Sequence, residues 1–235
     1  MSSIFHFKQF AVDQGNCAMK INTDGVLLAS STDFPAARRI LDIGTGTGVI
    51  ALMLAQSHSE AYVDAVEIDE DAARTAESNF QASAFSGRLN LFRGSFVDMQ
   101  PHKPYDLIVS NPPFFTNSLH NPDARKRLAR HTDSSFFESL LGFVSRYLVE
   151  NGLFRLIIPP LLAEEDIASM LPQYGLYLQA EMNITSFPGD EIIRKICEIG
   201  KEEQPLQRQD FAIYATKGAY SEAYKNLLKP YFLAY

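Results

Sequence analysis

The sequence predicts an α/β protein with a mostly parallel sheet, helices on both faces and antiparallel strands at one edge. Three observations predict it. From Arg39 onward, short apolar strand-like runs alternate with helix-like runs, the pattern of a parallel sheet covered on both sides. A glycine-rich turn, Gly44-Thr45-Gly46-Thr47-Gly48, joins the first of these strands to the first helix, where missing Cβ atoms let the backbone approach a ligand. After Tyr177 the chain changes to strands joined by turns around Pro188-Gly189 and Glu202-Glu203-Gln204-Pro205, which reads as antiparallel pairing.

The elements follow in order. Residues 1–35 read as an N-terminal extension and residues 36–235 as the main domain, a size suited to one domain with extensions. Thr23–Ala29 opens a short helix. Arg39–Ile43 is a short apolar strand, and Val49–Gln56 a helix with Ile50, Leu52, Met53 and Leu54 packing around it. Tyr62–Glu67 is the next strand, Glu70–Ala84 an alanine-rich, charged helix, Leu89–Arg93 a third strand and Tyr105–Ser110 a fourth. Ser135-Phe136-Phe137-Glu138 has capping-box spacing, and Phe137, Leu140, Leu141, Val144 and Leu148 then recur at helical intervals. This start leaves a long loop between Pro113 and Ser134. Gly152–Ile158 is a fifth strand and Leu161–Leu171 a helix; Tyr177–Thr185, Lys195–Gly200 and Asp210–Ala215 are strands, and Tyr220–Tyr231 is a terminal helix.

Composition narrows the class. Apolar residues make up 46% and charged residues 21% of the chain, enough apolar material for a full core. No apolar run reaches membrane-spanning length, and Met1–His6 lacks the basic-then-apolar pattern of a signal peptide. Cys17 and Cys197 are the only cysteines, which suits free thiols in a reducing cytoplasm. A net charge of −7 is not the footprint of a protein that coats nucleic acid nonspecifically, although a local basic patch can still supply phosphate contacts. The five histidines have no pairwise ligand spacing, so no metal site is expected. A monomer is expected.

The glycine turn carries the first chemical signal. A dinucleotide-binding G-x-G-x-x-G would need glycine where Val49 stands. The chain instead reads Asp42-Ile43-Gly44-Thr45-Gly46-Thr47-Gly48. Glu67 closes the second strand 19 residues after Gly48, and a carboxylate there can accept both hydroxyls of a ribose. Asp69 and Glu70 favour the positive end of the following helix.

Asn111-Pro112-Pro113-Phe114 carries the second. Two prolines after an asparagine make a stiff extended turn, set at the end of a buried strand, where open α/β sheets place ligands. It can aim the Asn111 side-chain carbonyl and the Pro112 backbone carbonyl at an amino group, with the Phe114 ring beside them. An exocyclic amine on a heterocycle is a poor nucleophile because its lone pair is delocalised. Accepting both of its N–H hydrogens favours a pyramidal nitrogen and aims that lone pair, so positioning does most of the work. Phe114 would stack on the base, worth about 1–3 kcal/mol.

The D-x-G-x-G-x-G turn resembles motif I of class I S-adenosylmethionine methyltransferases, and N-P-P-F resembles motif IV of those that modify planar nitrogens. The resemblance implies a Rossmann-like fold with a mostly parallel seven-stranded sheet. It implies that Gly44, Thr45, Gly46 and Gly48 lie along the methionine part of the cofactor, that Asp42 holds its ammonium, and that Glu67, with Ile68 beside it, takes the ribose. Ser95 falls where many relatives have an aspartate that reads the adenine amino group; the backbone of Ser95 and Phe96 could still read that edge. Phe5-His6-Phe7-Lys8-Gln9-Phe10, Cys17-Ala18-Met19-Lys20, Thr23-Asp24-Gly25 and Tyr220-Ser221-Glu222-Ala223-Tyr224 together resemble the bacterial tRNA1(Val) adenine-N6 methyltransferases. That family methylates adenine 37, just 3′ of the anticodon. It implies that the N-terminal extension packs over the cofactor, with Lys20, Thr23 and Asp24 as a wall at its methionine end; Thr23 or Asp24 also reads as a helix N-cap. Arg125-Lys126-Arg127, Arg130 and His131 form the densest basic run. It reads as a phosphate clamp for the anticodon loop or as an exposed charged loop, and the loop that carries it is expected to be mobile without RNA. Ribosomal RNA or a protein glutamine as acceptor, a non-catalytic binding module, and a nicotinamide dehydrogenase (disfavoured by Val49) are the competing readings.

Overall fold

The computed structural model describes residues 4–15, 20–112 and 122–235, with side chains omitted at 122–134 and 164–166. The chain opens with an antiparallel hairpin of β1 (Ile4–His6) and β2 (Ala11–Asp13), followed by α1 (Thr23–Ser30). The alternating part runs β3 (Arg39–Ile43), α2 (Val49–Ser57), β4 (Tyr62–Glu67), α3 (Glu70–Ala82), β5 (Leu89–Arg93), β6 (Tyr105–Ser110), α4 (Pro122–Tyr147) and β7 (Leu148–Ile158). A π-helical stretch, Leu162–Ile167, then leads into α5 (Ala168–Met170). The remainder is β8 (Tyr177–Thr185), β9 (Ile192–Gly200), β10 (Gln207–Ala212), a small hairpin of β11 (Tyr214–Thr216) and β12 (Ala219–Tyr220), and α6 (Glu222–Leu228).

The central sheet has the order β10-β8-β9-β7-β6-β3-β4-β5. Strands β5, β4, β3, β6 and β7 are mutually parallel, and β9 is antiparallel to both β7 and β8. The sheet thus has eight strands, one more than the seven expected. The strand expected at Asp210–Ala215 forms as β10 three residues earlier, and it pairs with β8 in parallel rather than antiparallel, Gln207 opposite Ala180 through Ala212 opposite Thr185. It can do so because β9 ends at the sheet edge where β10 begins, so residues 201–206 need only pass the start of β8.

Alternation along the strands divides the core between two faces. Ile40, Leu107, Val109 and Ile157 join Val26, Leu28, Ile50, Leu52 and Leu54 on one face. Leu41, Ile43, Ile108, Leu156 and Ile158 join Leu140, Leu141 and Val144 on the other.

Strands β7 and β9 begin at Leu148 and Ile192, earlier than the Gly152 and Lys195 the sequence suggests, and three helices differ more. Helix α4 begins at Pro122, not at Ser135; Asn121-Pro122-Asp123 is itself a start signal, with proline preorganised for the first helical position. Ser135 therefore lies inside a helix, its carbonyl accepting from the Ser139 hydroxyl at 2.9 Å, and the basic run stands on helical backbone. The helix expected over Leu161–Leu171 is broken into π-helical, α and 3₁₀ turns, ending at Pro172 and at Gly175 with φ +64°. The terminal helix is confined to α6, where the Ser221 hydroxyl caps it by accepting from Tyr224 N–H at 3.0 Å.

The N-terminal extension is fastened at both ends. Phe7 bridges to Phe232, and Lys8 N–H donates to Tyr231 O at 2.8 Å. The buried Arg155 of β7 donates to the Ser31 carbonyl at the end of α1 and pairs with Glu198 at 3.1 Å. Among the described residues, no helix is long and apolar enough to cross a membrane.

Candidate active site

The carboxyl ends of β3, β4, β5 and β6 stand side by side. Ile43 is registered with Val66 on one flank and Ser110 on the other, and Glu67 with Arg93. The chain winds β3, β4, β5 in one direction and then returns past β3 to place β6. This reversal opens a crevice between β3 and β6 at the carboxyl edge.

The glycine turn borders that crevice. Gly44, Gly46 and Gly48 have φ of +75°, +57° and +84°, a region side chains rarely tolerate. A Cβ on Gly48 would also lie 2.5 Å from the Phe80 ring of α3. The turn hangs from β4, since Gly44 and Thr45 N–H both donate to Val66 O, at 2.9 and 3.2 Å.

Asp42 sits beneath the turn, fully buried. Its Oδ2 accepts from the Thr45 hydroxyl at 2.5 Å, while Oδ1 has no hydrogen-bond partner. Burial pushes its carboxyl up to about 7, against the opposing pull of the Thr45 hydroxyl and of the Ala51 amide, which acts on the carboxyl without meeting hydrogen-bond geometry. A buried carboxylate oxygen without a partner is costly, and a cationic ligand in the turn would relieve that cost.

Glu67 is 9% exposed and fully engaged. Oε2 accepts from Gly46 N–H at 2.8 Å and Oε1 from Asp69 N–H at 2.9 Å. Each oxygen keeps a second lone-pair direction, so both are aimed and both can still accept. Asp69 caps α3 through Ala72 N–H at 2.8 Å, the helix role read for it from the sequence.

Beyond β4 and β5, Ile68 and Val97 are apolar yet 74% and 61% exposed. They follow neighbouring strand ends, Ile68 directly after β4 and Val97 four residues after β5. Val97 was not singled out from the sequence, where an apolar side chain between Phe96 and Asp98 was the available signal of an exposed apolar position. The Ser95 hydroxyl caps the 3₁₀ turn Phe96–Asp98 by accepting from Val97 N–H at 3.3 Å. The Phe96 ring is buried, its centroid 5.7 Å from those of Phe136 and Phe143, so the ring packs into the core.

Asn111 follows β6 directly and is partly buried, and Pro112 is buried. The Ser110 hydroxyl ties this segment to β3 by donating to Ile43 O at 3.0 Å. Pro113 and Phe114 lie outside the described residues, as do the side chains of Arg125, Lys126, Arg127, Arg130 and His131.

Asn22, rather than Thr23 or Asp24, caps α1, accepting from Gly25 N–H at 2.9 Å. The Asp24 carboxylate instead accepts from Arg194 Nε of β9 at 2.7 Å. Thr23 and Lys20 are exposed. Among the described residues, no group of three or more His, Cys, Asp or Glu could hold a metal ion.

Known proteins match both the sequence and this fold. Residues 15–161 match the family model of the methyltransferase small domain. The chain is 51% identical, over the full length of both, to the tRNA1(Val) (adenine(37)-N6)-methyltransferase of Pedobacter heparinus. It is 39% identical to the enzyme of the same name from Bacteroides thetaiotaomicron, with 97% of each chain covered. In fold it is similar to a protein of Agrobacterium tumefaciens described as a predicted O-methyltransferase: TM-score 0.68, 22% identity, 88% of this chain and 96% of that one. It is also similar to the O-methyltransferase NcsB1 of neocarzinostatin biosynthesis, solved with S-adenosylmethionine: TM-score 0.53, 17% identity, 74% of this chain and 51% of that one. A family model matching residues 15–161 and a full-length relative at 51% identity, on a fold shared with solved methyltransferases, establish that the chain belongs to the methyltransferase small-domain family.

Proposed function

We propose that the protein transfers the methyl group of S-adenosylmethionine to the exocyclic N6 of adenine 37 in tRNA1(Val). The observation that carries this reading is Asn111 at the end of β6, one strand from a glycine turn with a buried, unpartnered carboxylate oxygen beneath it. The donor supplies a methyl already activated on a sulfonium. The chain's own residues do the rest. Asp42 takes the ammonium of the methionine part, and Gly44, Thr45, Gly46 and Gly48 present backbone to it. Glu67 accepts from the ribose hydroxyls, while Ile68 and Val97 cover the adenine beside the backbone of Ser95 and Phe96. Lys20, Thr23 and Asp24 stand at the methionine end as the wall of the N-terminal extension, 1–35, which packs over the cofactor. On the acceptor side, the Asn111 side-chain oxygen and the Pro112 carbonyl accept the two N–H hydrogens of the base, and Phe114 stacks on its ring. The nitrogen lone pair forms the N–C bond as the S–C bond breaks, and the surplus proton on nitrogen passes to water.

Adenine 37 must leave the loop's stack to reach this crevice. Arg125, Lys126, Arg127, Arg130 and His131 on α4 take the phosphates of the anticodon loop. On this reading the protein meets its tRNA as a monomer, in the cytoplasm. The test is methylation of unmodified tRNA with nucleotide-level mapping of the product. N6-methyladenine at position 37 is expected; label in guanine, in ribosomal RNA or in protein glutamine would replace this reading.

Two predictions accompany it. The first concerns pH. A carboxyl raised to about 7 stays protonated in the ligand-free fold below that pH, while the unfolded chain releases the proton near 4. Its contribution to stability is therefore greatest at low pH and falls as pH rises from about 4 to about 7. A cationic ligand binds the ionised form, so S-adenosylhomocysteine affinity should rise by up to about tenfold per pH unit toward 7 and then level off. Calorimetry in buffers of different ionisation enthalpy should show proton release on binding at pH 6; proton uptake there would contradict the role of Asp42. The second concerns salt. Changing Arg127 and Arg130 together to alanine should weaken tRNA binding and lower the slope of log K against log salt by about 1.5, since each lost phosphate contact removes about 0.7–0.9. An unchanged slope, measured by filter binding across a salt series, would place the RNA elsewhere.

A further inference from the structure

Asn79 lies in the third turn of α3 and is 4% exposed. Asparagine is a poor helix former because its amide competes for backbone groups. Buried there, it needs partners, and it finds three, all outside its own helix. Its Nδ2 donates to Thr47 O and to Asp13 O, each at 2.9 Å. Its Oδ1 accepts from Asp13 N–H at 2.9 Å. Thr47 is the residue between Gly46 and Gly48, and Asp13 is the last residue of β2. One side chain therefore joins the glycine turn to the N-terminal hairpin, which lie 34 residues apart in sequence.

The join is specific to an amide. Both donors and the acceptor are used, and an asparagine presents them in one plane. A carboxylate would set an oxygen against two carbonyls, and an aliphatic side chain would forgo all three hydrogen bonds. The neighbouring Phe80 fills the space against Gly48 that a Cβ would occupy. Thus α3 fixes the turn from outside at Thr47 and Gly48, while Glu67 fixes it from within at Gly46.

We propose that Asn79 is a positioning residue for the methyl donor, coupling donor binding in the glycine turn to docking of the N-terminal hairpin. The coupling rests on the reading that this turn holds the methionine end of S-adenosylmethionine. It is reciprocal: whatever holds the turn in its binding shape holds the hairpin, and a ligand in the turn steadies the hairpin through the same three hydrogen bonds.

The experiment has two arms on the full chain. In the first, Asn79→Ala is compared with the unaltered protein by calorimetry with S-adenosylhomocysteine and by steady-state kinetics. The dissociation constant, and the KM for S-adenosylmethionine, should rise at least tenfold, with kcat and the KM for tRNA within twofold. A purely structural role would lower the melting temperature and leave the dissociation constant unchanged, and that result overturns the proposal. In the second arm, amide exchange is followed in the unaltered protein, which keeps the test decisive if the variant fails to fold. S-adenosylhomocysteine should slow exchange at Val12 and Asp13 at least fivefold; unaltered exchange there overturns the coupling. An unaltered protein that does not bind S-adenosylhomocysteine at all would instead remove the cofactor reading itself.

Discussion

Replacing Asn111 with alanine is expected to slow methyl transfer by about a hundred- to a thousandfold while leaving S-adenosylhomocysteine affinity within twofold. The size follows from losing a preorganised acceptor aimed at the reacting group, about 3–4 kcal/mol. The selectivity follows from geometry. The segment is tied to β3 by the Ser110 hydroxyl on Ile43 O, which the substitution leaves in place. The glycine turn is held separately, by Val66 O, by Glu67 and by the Asn79 amide on Thr47 O. None of these passes through Asn111. Single-turnover methylation with saturating donor and tRNA measures the chemical step, and calorimetry measures the donor site. A matching loss of cofactor affinity would mean that Asn111 shapes the donor site and not the acceptor.

The contrast between what was legible in the sequence and what was not has a physical basis. Strands β3, β4, β5 and β6 were read at the residues where they occur, because each is a short apolar run bounded by turn or helix signals. The glycine turn was legible because positive φ demands glycine at fixed places past a strand end, and Glu67 because a carboxylate closing β4 stands at the edge where that turn is held. The start of α4 was not, because Ser135 and Glu138 offer a plausible capping box and residues 122–134 lack an apolar stripe. The alanines, leucine and basic residues there favour helix by propensity alone, a weaker signal than periodicity. The start and the parallel pairing of β10 were obscured for another reason. Gln207–Asp210 is polar and exposed, and nothing local says that it pairs in parallel with β8. The Asp42 oxygen and the Asn79 junction were invisible, since an unpartnered atom and a three-way hydrogen bond exist only once distant segments meet. Thr23 and Asp24 show the same limit at short range: both could cap a helix, and it is Asn22 that does.

Glu67→Gln is the complementary experiment, and its effect should fall on the donor alone. The substitution changes shape very little but exchanges one carboxylate oxygen for an NH2. Gly46 N–H and Asp69 N–H both donate to this side chain, so one of them must then face a donor. The loop strain and the lost acceptor for a ribose hydroxyl together amount to about 3–4 kcal/mol, counting hydrogen bonds to a charged group at about 1.5–3 kcal/mol each. S-adenosylhomocysteine affinity should fall by about a hundred- to a thousandfold, whereas the KM for tRNA should stay within twofold. The melting temperature of the ligand-free protein supplies the control. If it falls while affinity is kept, Glu67 is only a staple between the glycine turn and the start of α3. If affinity falls and Asn111→Ala spares it, the crevice divides into a donor half fixed by β3 and β4 and an acceptor half fixed by β6. A planar amine can then be aligned against a sulfonium methyl without either half supplying a strong base.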